Sequence, residues 1–241
     1  MGSDGATRSE EGTEREEVAA IVTELNESGG LYHRFDLGDG LVLEGHYDMT
    51  QYIHYYGLPE SLAGKTALDV GTASGFWAFE LAKRGAAVTA IDVWESTSIE
   101  KVSRCVETKV RYVQMDVYDL TPDFGTFDFV LCGSLLLHLS DQFRVIQNIR
   151  SVCTGEAIIA TAIMSNPAVE DLPYAEFAGA RAPDGDYWTY WLPNVKSLEK
   201  MLLAAGFSKV EEISRFDLAT TEDLKHRPTF LSPHAVLRAR V

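Results

Sequence analysis

Four stretches of this 241-residue chain carry residue types and spacings that can do chemistry. The first is Asp69-Val70-Gly71-Thr72-Ala73-Ser74-Gly75, which closes a short apolar run. A strand that turns through glycines into a helix aims backbone N–H groups at a ligand. Glycine lets that ligand come close where a Cβ would stand. The second is Asp92, followed by Val93, twenty-one positions after Gly71 and at the end of the next apolar run. A carboxylate there can accept two hydrogen bonds from a ribose diol. The third is Asp116-Val117, placed to accept from an exocyclic amine and to pack on a purine. The fourth runs from Gly133 and Ser134 to His138, whose imidazole titrates near neutrality and suits a general base. A structural imidazole fits His138 as well. His33 is a second base candidate, and Arg34 either pairs with a carboxylate or stays solvated.

The elements that must position these residues follow from the hydrophobic pattern. Strands are predicted over 66–70, 87–92, 110–114, 127–132 and 157–162, with helices over 76–84, 98–106 and after Ser140-Asp141. Strands alternating with helices make a parallel sheet covered on both faces, with ligands at the carboxyl ends of its strands. Residues 163–193 hold four prolines and the aromatics Tyr187, Trp188, Tyr190 and Trp191, a composition that suits a lid or a stiffened connection. A helix over 195–205 and strands over 209–216 and 234–241 close the chain. Upstream, Val18, Ile21, Val22 and Leu25 mark a helix from Glu17 to Gly29-Gly30. Two apolar runs around Gly38-Asp39-Gly40 follow, then a short helix over 49–56. Residues 17–62 thus read as an N-terminal cap, and 63–241 as the main domain with a lid insertion at 163–193. Residues 1–16 lack aromatic and branched aliphatic side chains and are expected to be a disordered acidic tail.

Composition narrows the function classes. The net charge is -15, and the first seventeen residues supply -4 of it, from six acids and two arginines. An acidic body offers little to a polyanion or to anionic lipid, so nucleic acid is an unfavoured partner. Cys105, Cys132 and Cys153 form neither a disulfide framework nor a thiolate metal site, and no metal is expected. No apolar run approaches membrane-spanning length, so a soluble, cytoplasmic chain is expected.

The Gly-x-x-x-Gly turn is looser than a dinucleotide fingerprint and resembles the first motif of class I S-adenosylmethionine-dependent methyltransferases. Phe127-Asp128-Phe129-Val130-Leu131-Cys132-Gly133-Ser134-Leu135-Leu136-Leu137-His138-Leu139 resembles the fourth-strand motif of that family, and the two closing strands resemble its antiparallel hairpin. The likeness covers about 63 to 241. A narrower one lies in Tyr32-His33-Arg34-Phe35-Asp36-Leu37-Gly38-Asp39-Gly40, Trp191-Leu192-Pro193-Asn194 and Ala205-Gly206-Phe207, which are similar to the wobble-uridine tRNA methyltransferase-like family.

The resemblance implies a Rossmann-like α/β fold, with a mostly parallel sheet, a C-terminal antiparallel hairpin and an N-terminal cap. It implies S-adenosylmethionine as cofactor. Asp69, Gly71, Thr72 and Gly75 would belong to the methionine site, Asp92 and Val93 to the ribose site, Asp116 and Val117 to the adenine site, and Gly133 and Ser134 to the sulfonium site. The expected activity is methyl transfer to a small-molecule acceptor held by Tyr32, His33, Trp188 and Tyr190, with Trp77 and Trp191 suited to either that pocket or the core. Two alternatives stand beside it: a tRNA wobble-uridine methyl- or carboxymethyltransferase, from which the acidic body departs, and a non-catalytic cofactor-binding interaction module.

Overall fold

The structure, a computed structural model, describes residues 4–95, 97–106, 108–181, 187–222 and 232–241. Side chains are described for these residues except 4–14, 97, 180, 181, 187 and 188.

Helix α1 (Asp4–Glu27) opens the chain. It starts at Asp4 and not at Glu17, so most of the expected disordered tail forms its first turns; residues 1–3 lie outside the described part. The physical reason is propagation: Ile21, Val22 and Leu25 are buried and anchor the last turns. Glutamates and arginines, good helix formers, extend the helix backwards at little cost. Four short strands follow: β1 (Leu31–His33), β2 (Phe35–Asp36), β3 (Val42–Leu43) and β4 (Gly45–Tyr47). β2 and β3 pair antiparallel across the glycine turn, while β1 and β4 pair parallel. A Cβ on Gly45 would lie 2.3 Å from the carbonyl carbon of His33, so that pairing requires glycine. Residues Met49–Tyr56 form a 3-10 helix, with Asp48 accepting from the Thr50 N–H.

The main sheet is built from β5 (Thr66–Val70), β6 (Ala87–Asp92), β7 (Arg111–Gln114), β8 (Phe127–Gly133) and β9 (Cys153–Ala162). Helices α2 (Phe76–Lys83), α3 (Thr97–Cys105) and α4 (Gln142–Val152) connect them. After β9 come β10 (Ala175–Arg181), β11 (Tyr187–Pro193), α5 (Val195–Ala204), β12 (Lys209–Leu218) and β13 (Ser232–Arg240). The seven-stranded order is β12-β13-β9-β8-β5-β6-β7. β5 through β9 pair parallel, and β13 runs antiparallel to both β9 and β12. The expected Rossmann-like fold with its antiparallel C-terminal hairpin is present.

Strand order reverses between β5 and β8, since the chain runs outward to β6 and β7 before returning. The crevice outside the carboxyl ends of β5 and β8 is where such sheets bind ligands. Two apolar cores fill the faces. One packs Trp77, Phe79, Leu81 and the cap residues Leu43 and Tyr56. The other packs α4 and α5 through Val145, Ile149, Leu198 and Leu202. Among the described residues, no helix is long and apolar enough to cross a membrane.

Candidate functional site

The carboxyl ends of β5, β6, β7 and β8 surround a cavity of about 610 Å³, within the size range of small-molecule sites. Gly71, Asp92, Val93, Asp116, Val117, Gly133, Ser134 and His138 line it, as do Tyr32 and His33 from the cap. The structure therefore gathers most of the residues singled out by sequence. Asp69, Thr72, Gly75 and Tyr190 are not among the lining residues, and the side chain of Trp188 lies outside the described part.

Asp69 and Thr72 sit beneath the glycine turn and support it. The Thr72 hydroxyl donates to the Asp69 carboxylate at 2.6 Å. Both residues are buried, and burial pushes the Asp69 carboxyl up to about 7, with Thr72 opposing and the charge of Asp92 adding to the shift. Gly71 has φ +74, and a Cβ there would press within 3.1 Å of the Leu135 side chain. Gly75 ends the turn at φ +89, where a Cβ would meet Ile99 and Phe79 at 2.8 Å. Ala73 also has a positive φ, of 48°. Its N–H donates to Asp92 Oδ2 at 2.9 Å, so the second strand end braces the first. Non-glycine residues held in this region cluster at ligand sites.

The cap is tied to the same turn. Ser74 Oγ accepts from the N–H groups of Tyr32 at 2.9 Å and His33 at 3.4 Å. Sequence reading passed over Ser74; its signal was a hydroxyl inside the turn itself. His33 is buried, and burial holds its imidazole down at about 3. It is neutral across the physiological range and too weakly basic for an efficient general base. Among the described residues, its buried Nδ1 has no hydrogen-bond partner. Buried polar atoms of that kind are rare and accumulate at functional sites. Arg34, next in sequence, turns to Asp48 at 3.4 Å.

Ser134 takes φ +63, and its N–H donates to the Ala160 carbonyl at 2.7 Å. A Cβ at Gly133 would lie 3.0 Å from the Trp77 ring, so glycine there lets the indole pack under the strand end. The Asp116 carboxylate caps the next turn by accepting from the Tyr118 N–H at 2.9 Å. Among the described residues lining the cavity, the carboxylates are Asp92, Glu95 and Asp116, and no lysine or arginine joins them. The wall is thus negative, which favours a ligand that carries positive charge.

His138 ends a 3-10 turn, Leu136–His138, on the cavity wall. The described residues of the insertion at 163–193 include the antiparallel hairpin β10–β11, which bonds to this turn; none of those described residues lines the cavity. The buried Gln142 amide donates to the carbonyls of Leu136 at 2.8 Å and Trp191 at 3.1 Å. The Trp191 indole donates to the Ser140 carbonyl at 3.1 Å. Trp191 is therefore tied to this turn through both its backbone carbonyl and its indole. Asn194 locks the base of the hairpin, donating to the carbonyls of Val169 and Leu172 and accepting from Tyr174 and Ser197 N–H groups.

These groups predict a particular pH dependence of stability. His33 and His234, held down at about 3 and 4 by burial, are neutral when folded. In the unfolded chain they protonate near 6.5. Their contribution is whole above that value and declines as pH falls from about 6.5 towards those folded values. Asp69 acts in the opposite sense, because its folded value of about 7 lies above the unfolded one. Stability from its protonated form is lost as pH rises towards and through about 7. Asp69→Asn removes that limb, so its melting temperature is expected to gain on the wild type between pH 5 and 8. Thermal unfolding across that range checks this; a difference independent of pH contradicts it.

Comparison with known proteins agrees with this geometry. Residues 68–161 match a family model described as a methyltransferase domain. A ubiquinone biosynthesis O-methyltransferase of Coxiella burnetii is 38% identical over 91 residues, covering 36% of this chain and 38% of that protein. The match thus spans under two fifths of that relative's length. The enzyme of the same name from Psychrobacter arcticus is 28% identical over 192 residues, 72% of this chain and 74% of that protein. Among solved structures, the N-terminal domain of EvdMO1 with SAH bound superposes with a TM-score of 0.64 at 18% identity, covering 94% of this chain and 97% of that one. At that identity the likeness is one of fold.

Proposed function

We propose that this chain, whose residues 68–161 match a methyltransferase-domain family model, is a class I S-adenosylmethionine-dependent methyltransferase that transfers a methyl group from that cofactor to a small-molecule acceptor. One observation carries the reading: the glycine turn, Asp92, Asp116 and His138 come from four different strand ends into a single cavity. The residues present fit the cofactor. Gly71, Ala73 and Ser74 bring the turn to the cavity wall, and the carboxylates suit a cationic sulfonium and a nucleoside.

When bound, the cofactor supplies a methyl group that is already electrophilic. The backbone of Gly71–Ser74 holds its methionine part, Asp92 accepts from the ribose hydroxyls, and Asp116 with Val117 receives the adenine. Ser134 lines the sulfonium. With this donor fixed, the protein's main contribution is alignment of the acceptor. A hydroxyl acceptor also loses a proton, and His138 takes it. The O-methyltransferase names of the relatives favour oxygen as the accepting atom.

The likeness to wobble-uridine tRNA enzymes gives the second reading, favoured by the cap and Trp191–Asn194 motifs. The net charge of -15 weighs against it. Incubating the chain with methyl-labelled S-adenosylmethionine and either a metabolite extract or bulk tRNA separates the two. Label is expected in a small molecule. Label in tRNA alone overturns that assignment, and label in neither overturns the catalytic reading.

A further inference from the structure

We propose that Ser74 is a positioning residue whose hydroxyl couples the donor turn to the two cap residues, Tyr32 and His33, that face the acceptor. The inference rests on the donor reading above and concerns what that hydroxyl holds. Ser74 is buried at the cavity wall, and Tyr32 and His33 line the same cavity.

Four consecutive backbone N–H groups of the cap show the link. Those of Leu31 and Arg34 donate to the carbonyls of Glu44 and Tyr47, both at 2.8 Å, inside the cap. The two between them, from Tyr32 and His33, leave the cap and donate to Ser74 Oγ at 2.9 and 3.4 Å. A buried N–H requires a partner, and a hydroxyl oxygen offers two lone pairs. One side chain of the turn thus satisfies two main-chain donors of β1, and the strand is shared between cap and turn.

The rest of the cap is seated elsewhere. Ser214 on β12 donates to the Tyr55 carbonyl, and the Tyr52 hydroxyl accepts from the Ala219 N–H at 3.2 Å. Thr221 donates to the carbonyls of Gly45 and His46, and Arg238 on β13 donates to the Gly57 carbonyl. These anchors lie on the β12–β13 side of the sheet, apart from the glycine turn. Loss of the Ser74 hydroxyl therefore frees β1 without unseating the cap. With the hydroxyl in place, a ligand that restrains the turn also restrains Tyr32 and His33. Ordering carried out by a first ligand lowers the ordering cost of a second, and the coupling is reciprocal.

The test is amide hydrogen exchange of the full chain, resolved at Tyr32 and His33 by NMR, with and without saturating S-adenosylhomocysteine. In the wild type the ligand is expected to slow both amides by roughly fivefold or more. Ser74→Thr, which keeps the oxygen, is expected to preserve that slowing. Ser74→Ala and Ser74→Cys, which remove it, are expected to show the same rates at these amides with and without ligand. A hydroxyl with a structural role alone gives another pattern: quicker exchange in Ser74→Ala in both states, with the slowing by ligand intact. That pattern overturns the proposal, as do wild-type amides that ignore the ligand. Failure of the wild-type chain to bind S-adenosylhomocysteine in calorimetry is a different result and overturns the donor reading itself.

Discussion

Replacement of Asp92 by Ala is expected to lower the affinity for S-adenosylhomocysteine by roughly 10²-fold or more. Two losses add. Hydrogen bonds to a charged group are worth about 1.5–3 kcal/mol each, and the ribose diol supplies two. The same carboxylate takes the N–H of Ala73, a residue held at φ +48, so the turn also loses its brace. Asp92→Asn separates these effects. Its amide oxygen can still accept from Ala73, so the turn stays supported while the charge is gone. The expected order of affinity is wild type, then Asn, then Ala, read by calorimetry. Equal affinity in all three contradicts the placement of the ribose.

The second large effect is expected at His138. Removing a positioned general base typically costs 10²- to 10⁴-fold in turnover. His138→Ala is expected to fall in that range with the assigned acceptor, while its affinity for S-adenosylhomocysteine stays within about threefold of the wild type, because base removal does not touch donor binding. Turnover unchanged by the substitution removes His138 from the chemistry. His33 is the natural comparison. It shares the cavity but is held neutral down to about 3, so no loss of a general base is expected from His33→Ala.

Much of this site was readable before the fold was known, and the physical reasons are specific. β5, β6 and β8 are buried along most of their length, so their apolar runs stand out, and each run leads to a residue with evident chemistry: Gly71, Asp92 and Ser134. The turn residues announce themselves because positive φ restricts what can stand there. Pairwise and parity-dependent features were harder to see. That Asp69 and Thr72 bond to each other beneath the turn, at 2.6 Å, depends on side-chain direction and not on spacing. That Trp191 bonds to the turn bearing His138 depends on Gln142, a residue with no motif around it. The start of α1 at Asp4 reflects helix propagation from a buried end, which composition alone does not report.

The cavity at the ends of β5 to β8 is the proposed site of the methyl donor. Calorimetric titration of the purified chain with S-adenosylhomocysteine, run beside Asp92→Ala, tests it most directly. Saturable binding to one site per chain is expected, strongly weakened in the variant. A wild-type chain that gives no saturable heat, or that binds as tightly after Asp92 is removed, would contradict it.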